Sequence, residues 1–174
     1  MEKNTFKKLV KEHQNRIYTF AHYYLNNREE AEDVTQDVLL RLWKHGHNIQ
    51  LDAVSAWLIK VTRNACYDAI RRRKTRRTYN DSDYNQSSIS QLATEEPSPC
   101  EEMESLDLQG RVESALAMIR EPYRSILILR EIQDLKYEHI AKSMELPLNT
   151  VKGYLHRGRK KMREHLKDWV NIES

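Results

Sequence analysis

Four glycines and four prolines in 174 residues leave this chain few places where its backbone can turn sharply. Glycine supplies left-handed conformations and proline a fixed φ, and tight turns depend on both. An all-β sandwich or barrel needs such a turn roughly every ten residues. The scarcity points instead to long helices and an all-α fold. Apolar residues make up 39 % and charged residues 32 % of the chain, the balance of a soluble globular protein on the polar side.

Helical periodicity fills in the elements. Phe6, Leu9, Val10, His13, Ile17, Phe20, Ala21 and Tyr24 form one apolar stripe. Asn26-Asn27 interrupts it, and Asn27 is placed to cap a second helix with Glu29 and Glu30 in its first turn, where the helix dipole favours anions. That helix turns Ala31, Val34, Val38 and Leu42 inward and ends at Gly46. Asp52 is the expected cap of a third, with Val54, Trp57, Leu58, Val61 and Ala65 inward, running on into Arg71-Arg72-Arg73-Lys74. From about residue 78 to 104 periodicity stops and Ser, Asn, Gln, acids, Pro97 and Pro99 take over, the composition of a flexible linker. The chain thus divides into helical domains at 1–77 and 105–174. In the second, Leu108, Val112, Ala115, Leu116 and Ile119 make a stripe, and Pro122 suits the start of a helix carrying Ile126, Leu127 and Leu129.

Charge is segregated along this frame. Lys60 to Arg77 holds eight Lys or Arg and one acid; Asn80 to Gln109 holds eight acids and no Lys or Arg; Lys152 to Lys167 holds seven Lys or Arg and one acid. Two basic helices flanking an acidic connector imply two separate contacts with a polyanion.

The second basic helix lies in an informative setting. Tyr137, Ile140, Ala141 and Met144 form a short amphipathic helix, 145–148 a turn, and Asn149 or Thr150 can cap the next helix, whose inward positions are Val151, Tyr154 or Leu155, and Gly158. Small Ala141 allows close approach, and Leu146 and Val151 fill the space between the helices. This is the packing of a helix-turn-helix, whose second helix enters the DNA major groove. Asn149, Thr150, Lys152, His156, Arg157, Arg159 and Lys160 are its candidate DNA contacts, with Lys161 continuing the cationic face. Glu145 stands where such turns often carry glycine. The third helix of the first domain mixes Trp57, Lys60, Thr62, Arg63, Asn64, Tyr67 and the cluster Arg71, Arg72, Arg73, a face that can hold unstacked single-stranded bases.

Four tracts resemble one family. Glu30-Ala31-Glu32-Asp33-Val34-Thr35-Gln36-Asp37-Val38-Leu39 is similar to the region-two signature of sigma factors, and Ala56-Trp57-Leu58-Ile59-Lys60-Val61-Thr62-Arg63-Asn64 to the stretch that follows it. Leu135-Lys136-Tyr137-Glu138-His139-Ile140-Ala141 and the tract from Asn149 to Arg159 resemble region four. Order and separation match the extracytoplasmic-function (ECF) group of the sigma-70 family, in which a short linker replaces the larger middle region. The resemblance implies partners: bacterial core RNA polymerase, bound through Asp33, Gln36 and Asp37; promoter DNA, its −10 element melted and read by the third helix, with Asn64 capturing a flipped base beside Lys60, Thr62 and Arg63; the −35 element, read as duplex by the recognition helix; and an anti-sigma factor. The first helices of the second domain would dock on the polymerase flap. The Asn-for-Gly and Gly-for-Ser exchanges at 149 and 153 leave base preference open.

Other classes fit less. A repressor or activator using the helix-turn-helix alone leaves Glu30–Leu39 without a role. No phosphate-binding loop, HExxH, GxGxxG or nucleophile motif is present, so no enzyme, cofactor or small-molecule substrate is expected. His45 and His47 flank Gly46 at a helix end as solvated residues, so no metal is expected. Cys66 and Cys100 read as reduced thiols, and without a leader pattern or an apolar run of membrane-spanning length the expected compartment is the cytoplasm, with no direct membrane insertion.

Overall fold

The computed structural model describes residues 2–80 and 100–170, with side chains within 2–76 and 108–167. The described residues form helices joined by short turns, with no strand among them. Helix α1 (Lys3–Leu25) buries Leu9, His13, Ile17, Phe20, Ala21 and Tyr24 of the expected stripe, plus Leu25, while Phe6 and Val10 are only half-buried. It ends at Asn26 with φ 47°, a left-handed conformation that asparagine tolerates better than most residues. Asn27 returns to extended backbone, and its side-chain oxygen accepts from the Glu30 backbone N–H at 2.9 Å, starting α2 (Arg28–His45) as expected. Helix α2 buries Ala31, Val34, Thr35, Val38 and Leu42. Burial of an aliphatic side chain such as Val38 or Leu42 contributes roughly 1.5–3 kcal/mol. A short 3-10 turn, Gly46–Asn48, closes it.

Helix α3 (Val54–Asn80) does not start from Asp52. The Ala53 carbonyl accepts from the Trp57 N–H at 3.0 Å, one residue later than expected, and Asp52 stands exposed in the preceding turn. Val54, Leu58, Ala65, Cys66 and Ala69 face the core, with Trp57 and Val61 packed at its edge. Because α3 continues to Asn80 and α4 (Cys100–Met118) begins at Cys100, both ends of the expected linker are helical. Residues 81–99, its middle, lie outside the described residues.

The second half packs α4 and α5 (Tyr123–Leu127) against α6 (Tyr137–Met144) and α7 (Leu148–Val170). Pro122 precedes α5 as its spacing implies. Leu108, expected in the α4 stripe, is 61 % exposed; Ala115, Leu116 and Ile119 carry the burial. After α5 the chain widens into a π turn, Ile128–Ile132, in which the Gln133 N–H reaches back five residues to the Ile128 carbonyl. The two halves are in contact along α1–α4 and α3–α6. Arg124 of α5 donates to the Tyr24 carbonyl at 3.2 Å, and Gln133 to the Arg16 carbonyl at 2.8 Å. His22 lies 3.1 Å from Glu113.

Candidate nucleic-acid interface

The recognition pair is built tightly. Ile140, Val151 and Leu155 are buried, which settles the choice between Tyr154 and Leu155; Tyr154 sits half-buried, edge to face with Tyr123 at 5.4 Å between ring centres. A Cβ on Gly158 would stand 3.1 Å from Leu127 Cγ, so the glycine lets α7 lie close on α5. Helix α6 ends at Glu145 in the left-handed conformation (φ 55°, ψ 43°), the geometry that favours glycine. Neither Asn149 nor Thr150 caps α7. The helix begins at Leu148, the Pro147 carbonyl accepts from the Val151 N–H, and Asn149 and Thr150 occupy the first turn.

That shift leaves the outer face of α7 intact. Asn149, Lys152, His156, Arg157 and Lys160 are exposed at helical spacing, and Thr150 is half-buried beside them. Arg159 differs: its Nε and one terminal nitrogen donate to Glu131 Oε1 at 3.0 and 2.8 Å, tying α7 to the π turn. That pairing raises the guanidinium's pKa above its ordinary value.

On α3 the candidates divide. Asn64, Arg71 and Arg72 are exposed; Tyr67 is 59 % exposed, an aromatic surface among cations. Thr62 does not join them. It is 1 % exposed and its hydroxyl donates to the Leu58 carbonyl at 2.7 Å, so it belongs to the core side of the helix. Arg73 is committed to Glu30 and the Leu25 carbonyl, joining α3 to the α1–α2 corner. Lys60 Nζ donates to Glu145 Oε1 at 2.6 Å, and Arg63 to Met144 Sδ at 3.2 Å, so this end of α3 lies under the helix-turn-helix.

The third surface is on α2. Asp33, Gln36 and Asp37 are exposed on one face. Asp33 and Asp37 line a polar groove shared with Arg41, Asp68, Arg72 and Arg76. Asp37 pairs with Arg41 at 2.7 Å. Beyond them Leu40 (58 % exposed) and Trp43 (45 %) extend the face as apolar surface, Trp43 standing edge-on to Phe6. The sequence reading missed both, although each falls off the Ala31–Leu42 stripe at an outward helical position.

Two family profiles match in the order these surfaces occur: "Sigma-70 region 2" over residues 9–76 and "Sigma-70, region 4" over 109–162. The chain belongs to the sigma-70 family, in its ECF group. Similar sequences include the ECF sigma factor SigE of Mycolicibacterium smegmatis, 30 % identical over 91 % of this chain and 60 % of that protein. They also include SigW of Bacillus subtilis, 26 % identical over 96 % of this chain and 91 % of the relative. Among solved structures, the sigma factor RpoE of Bartonella quintana, crystallised with the anti-sigma factor NepR, superposes with a TM-score of 0.70 at 26 % identity, covering 94 % of this chain and 97 % of that one. CnrH, solved with the cytosolic domain of CnrY, shares the fold at 20 % identity and a TM-score of 0.71, over 96 % of this chain and 90 % of its own.

In this sigma factor the joint between regions 2 and 4 is polar, and buried around Arg124. Arg124 is 8 % exposed, donates to the Leu116, Ala117 and Tyr24 carbonyls, and lies 5.0 Å over the Tyr24 ring. Burial lowers its pKa, and Tyr24 and Glu121 beside it oppose that shift. Burial and the nearby Glu121 carboxylate push the Tyr24 hydroxyl well above its ordinary range; burial first, then Glu121, does the same to the Cys66 thiol, so that thiol is protonated and inert. Burial holds His13 and His139 below the ordinary histidine range, and Arg16 pushes both the same way. His45 and His47 are exposed, and no group of three His, Cys, Asp or Glu among the described residues could hold a metal ion. No helix of the described residues is long and apolar enough to cross a membrane.

Proposed function

We propose that this chain is an ECF-type specificity subunit of bacterial RNA polymerase, a non-catalytic initiation factor acting where that polymerase acts, in the cytoplasm. The observation that carries the proposal is the conjunction of three exposed surfaces on the two matched regions: the acidic-apolar face of α2, the aromatic-cationic face of α3 and the cationic face of α7. Asp33, Gln36 and Asp37, with Leu40 and Trp43, meet the core enzyme. Asn64 captures a base of the −10 element, while Lys60, Arg63, Arg71 and Arg72 follow the strand. Asn149, Thr150, Lys152, His156, Arg157 and Lys160 enter the groove at the −35 element, and Arg159 orients that helix through Glu131. Residues 1–77 and 105–174 would be the units doing this work on either side of the connector. The Bartonella relative was crystallised with an anti-sigma factor, and a partner of that kind is proposed here too. A repressor acting through the helix-turn-helix alone is disfavoured, because it gives region 2 nothing to do.

The test mixes the purified protein with bacterial core polymerase and asks for co-elution and for run-off transcription from promoters lying upstream of its own gene. Co-elution with specific run-off supports the assignment. Tight binding to duplex DNA by the free protein, with no affinity for polymerase, overturns it.

A further inference from the structure

The strand-facing end of α3 is covered by a carboxylate from the chain's own other half. Lys60 Nζ and Glu145 Oε1 are 2.6 Å apart, from residues 85 positions apart in sequence, and the neighbouring Arg63 guanidinium rests on Met144. Glu145 occupies a left-handed position at the end of α6 that glycine fills without strain. The hydrogen bond from Lys60, and then its charge, hold the Glu145 carboxyl below the usual carboxylate range. A carboxylate hydrogen-bonded to a lysine ammonium offers the same chemistry that a backbone phosphate would offer it.

We propose that Glu145 is an internal competitor for nucleic acid: it takes the place of a strand phosphate on Lys60 and keeps the region-4 turn seated over this end of α3 while no DNA is bound. The proposal rests on the assignment of α3 as a single-strand-binding face. It accounts for a costly residue type at the turn, and for contact of Lys60 and Arg63 with the consecutive residues Glu145 and Met144 where α6 ends. The cover is partial. Asn64, Tyr67 and Arg71 stay exposed, so a strand can engage that stretch first and then exchange with Glu145 at Lys60. Both partners of the pair are themselves solvent-accessible, which makes the contact weak and displaceable.

The experiment uses the full chain without polymerase and a fluorescein-labelled, A/T-rich single-stranded oligonucleotide. Wild type is compared with Glu145→Gln and Glu145→Gly, and with Glu138→Gln, which removes the same charge from an exposed position on the same helix. Both Glu145 variants are expected to bind the strand about two- to fivefold more tightly than wild type, a gain that shrinks as salt rises, with Glu138→Gln near wild type. No gain in either Glu145 variant, including the case where none of the proteins binds detectably, overturns the proposal. An equal gain from Glu138→Gln also overturns it, since net charge alone would then account for the effect. Failure of the underlying assignment shows separately, as absence of polymerase co-elution by wild type.

Discussion

Two glycines of α7 separate what the backbone needs from what packing allows. Gly153 has nothing within 4 Å of an added Cβ, whereas at Gly158 the same atom would press on Leu127, itself 2 % exposed. Gly153→Ala should stabilise the protein by up to about 1 kcal/mol, the helix-propensity difference. Gly158→Ala has that gain set against an overpacking cost of about 1–3 kcal/mol, and should lower Tm. Calorimetry on both variants checks this; a higher Tm for Gly158→Ala would show that Leu127 can move aside. Asn64 bears on function instead. Exposed on α3, its replacement by Ala should reduce promoter opening, followed by permanganate reactivity of unpaired thymines, and leave polymerase co-elution unchanged. Equal loss of both would make it a structural residue.

The helices as elements were largely legible because burial follows the 3.6-residue period: α2 and α7 bury the residues their spacing predicts, and α1 and α6 most of theirs, with Phe6, Val10, Tyr137 and Ala141 only half-buried. Thr62 shows the same rule under-used: it lies four residues from Leu58 and three from Ala65, both buried, so periodicity points it inward, whereas its polarity had assigned it to the strand-binding face. Caps were harder, since Asp52 and Asn149 are good capping types in the wrong place by one or two residues, and the helix start is decided by backbone hydrogen bonds no composition records. The π turn at Ile128–Ile132 was invisible for the same reason, and the commitment of Arg159 to Glu131 because it is a contact between elements. The outer face of α7 survives these shifts, and in the proposed role its cations would act additively on phosphate. Lys152→Ala should weaken duplex binding by the holoenzyme similarly across sequences and flatten the slope of log K against log salt by about one. A change confined to one promoter sequence would instead assign Lys152 to base reading.

For the molecule as a whole, the joint between regions 2 and 4 brings histidines together with cations. His13 and His139 lie near Arg16, with Lys142 beside His139 and only Glu12 opposing at His13. Both histidines sit below their ordinary value of 6.5 in the packed chain, so the unfolded chain takes up protons that the folded one refuses. Stability is therefore full above that value and is lost as pH falls through it toward the depressed folded values. Thermal melts from about pH 8 to about pH 5 should show Tm falling across the histidine range. A flat profile, or a Tm that rises on acidification, would contradict the burial of these rings at the joint.

Arg124 bears on how readily this joint can part. Its donors reach the Leu116 and Ala117 carbonyls within its own half, and Tyr24, through its carbonyl and ring, belongs to the other. Removing one partner of a buried charge is costly when it strands that charge without acceptors. Here separation returns one carbonyl, one ring face and one side of the guanidinium to water, while the acceptors that hold the cation travel with it. At Arg124, then, the halves can part without leaving the buried cation short of acceptors, because Leu116 and Ala117 stay with it.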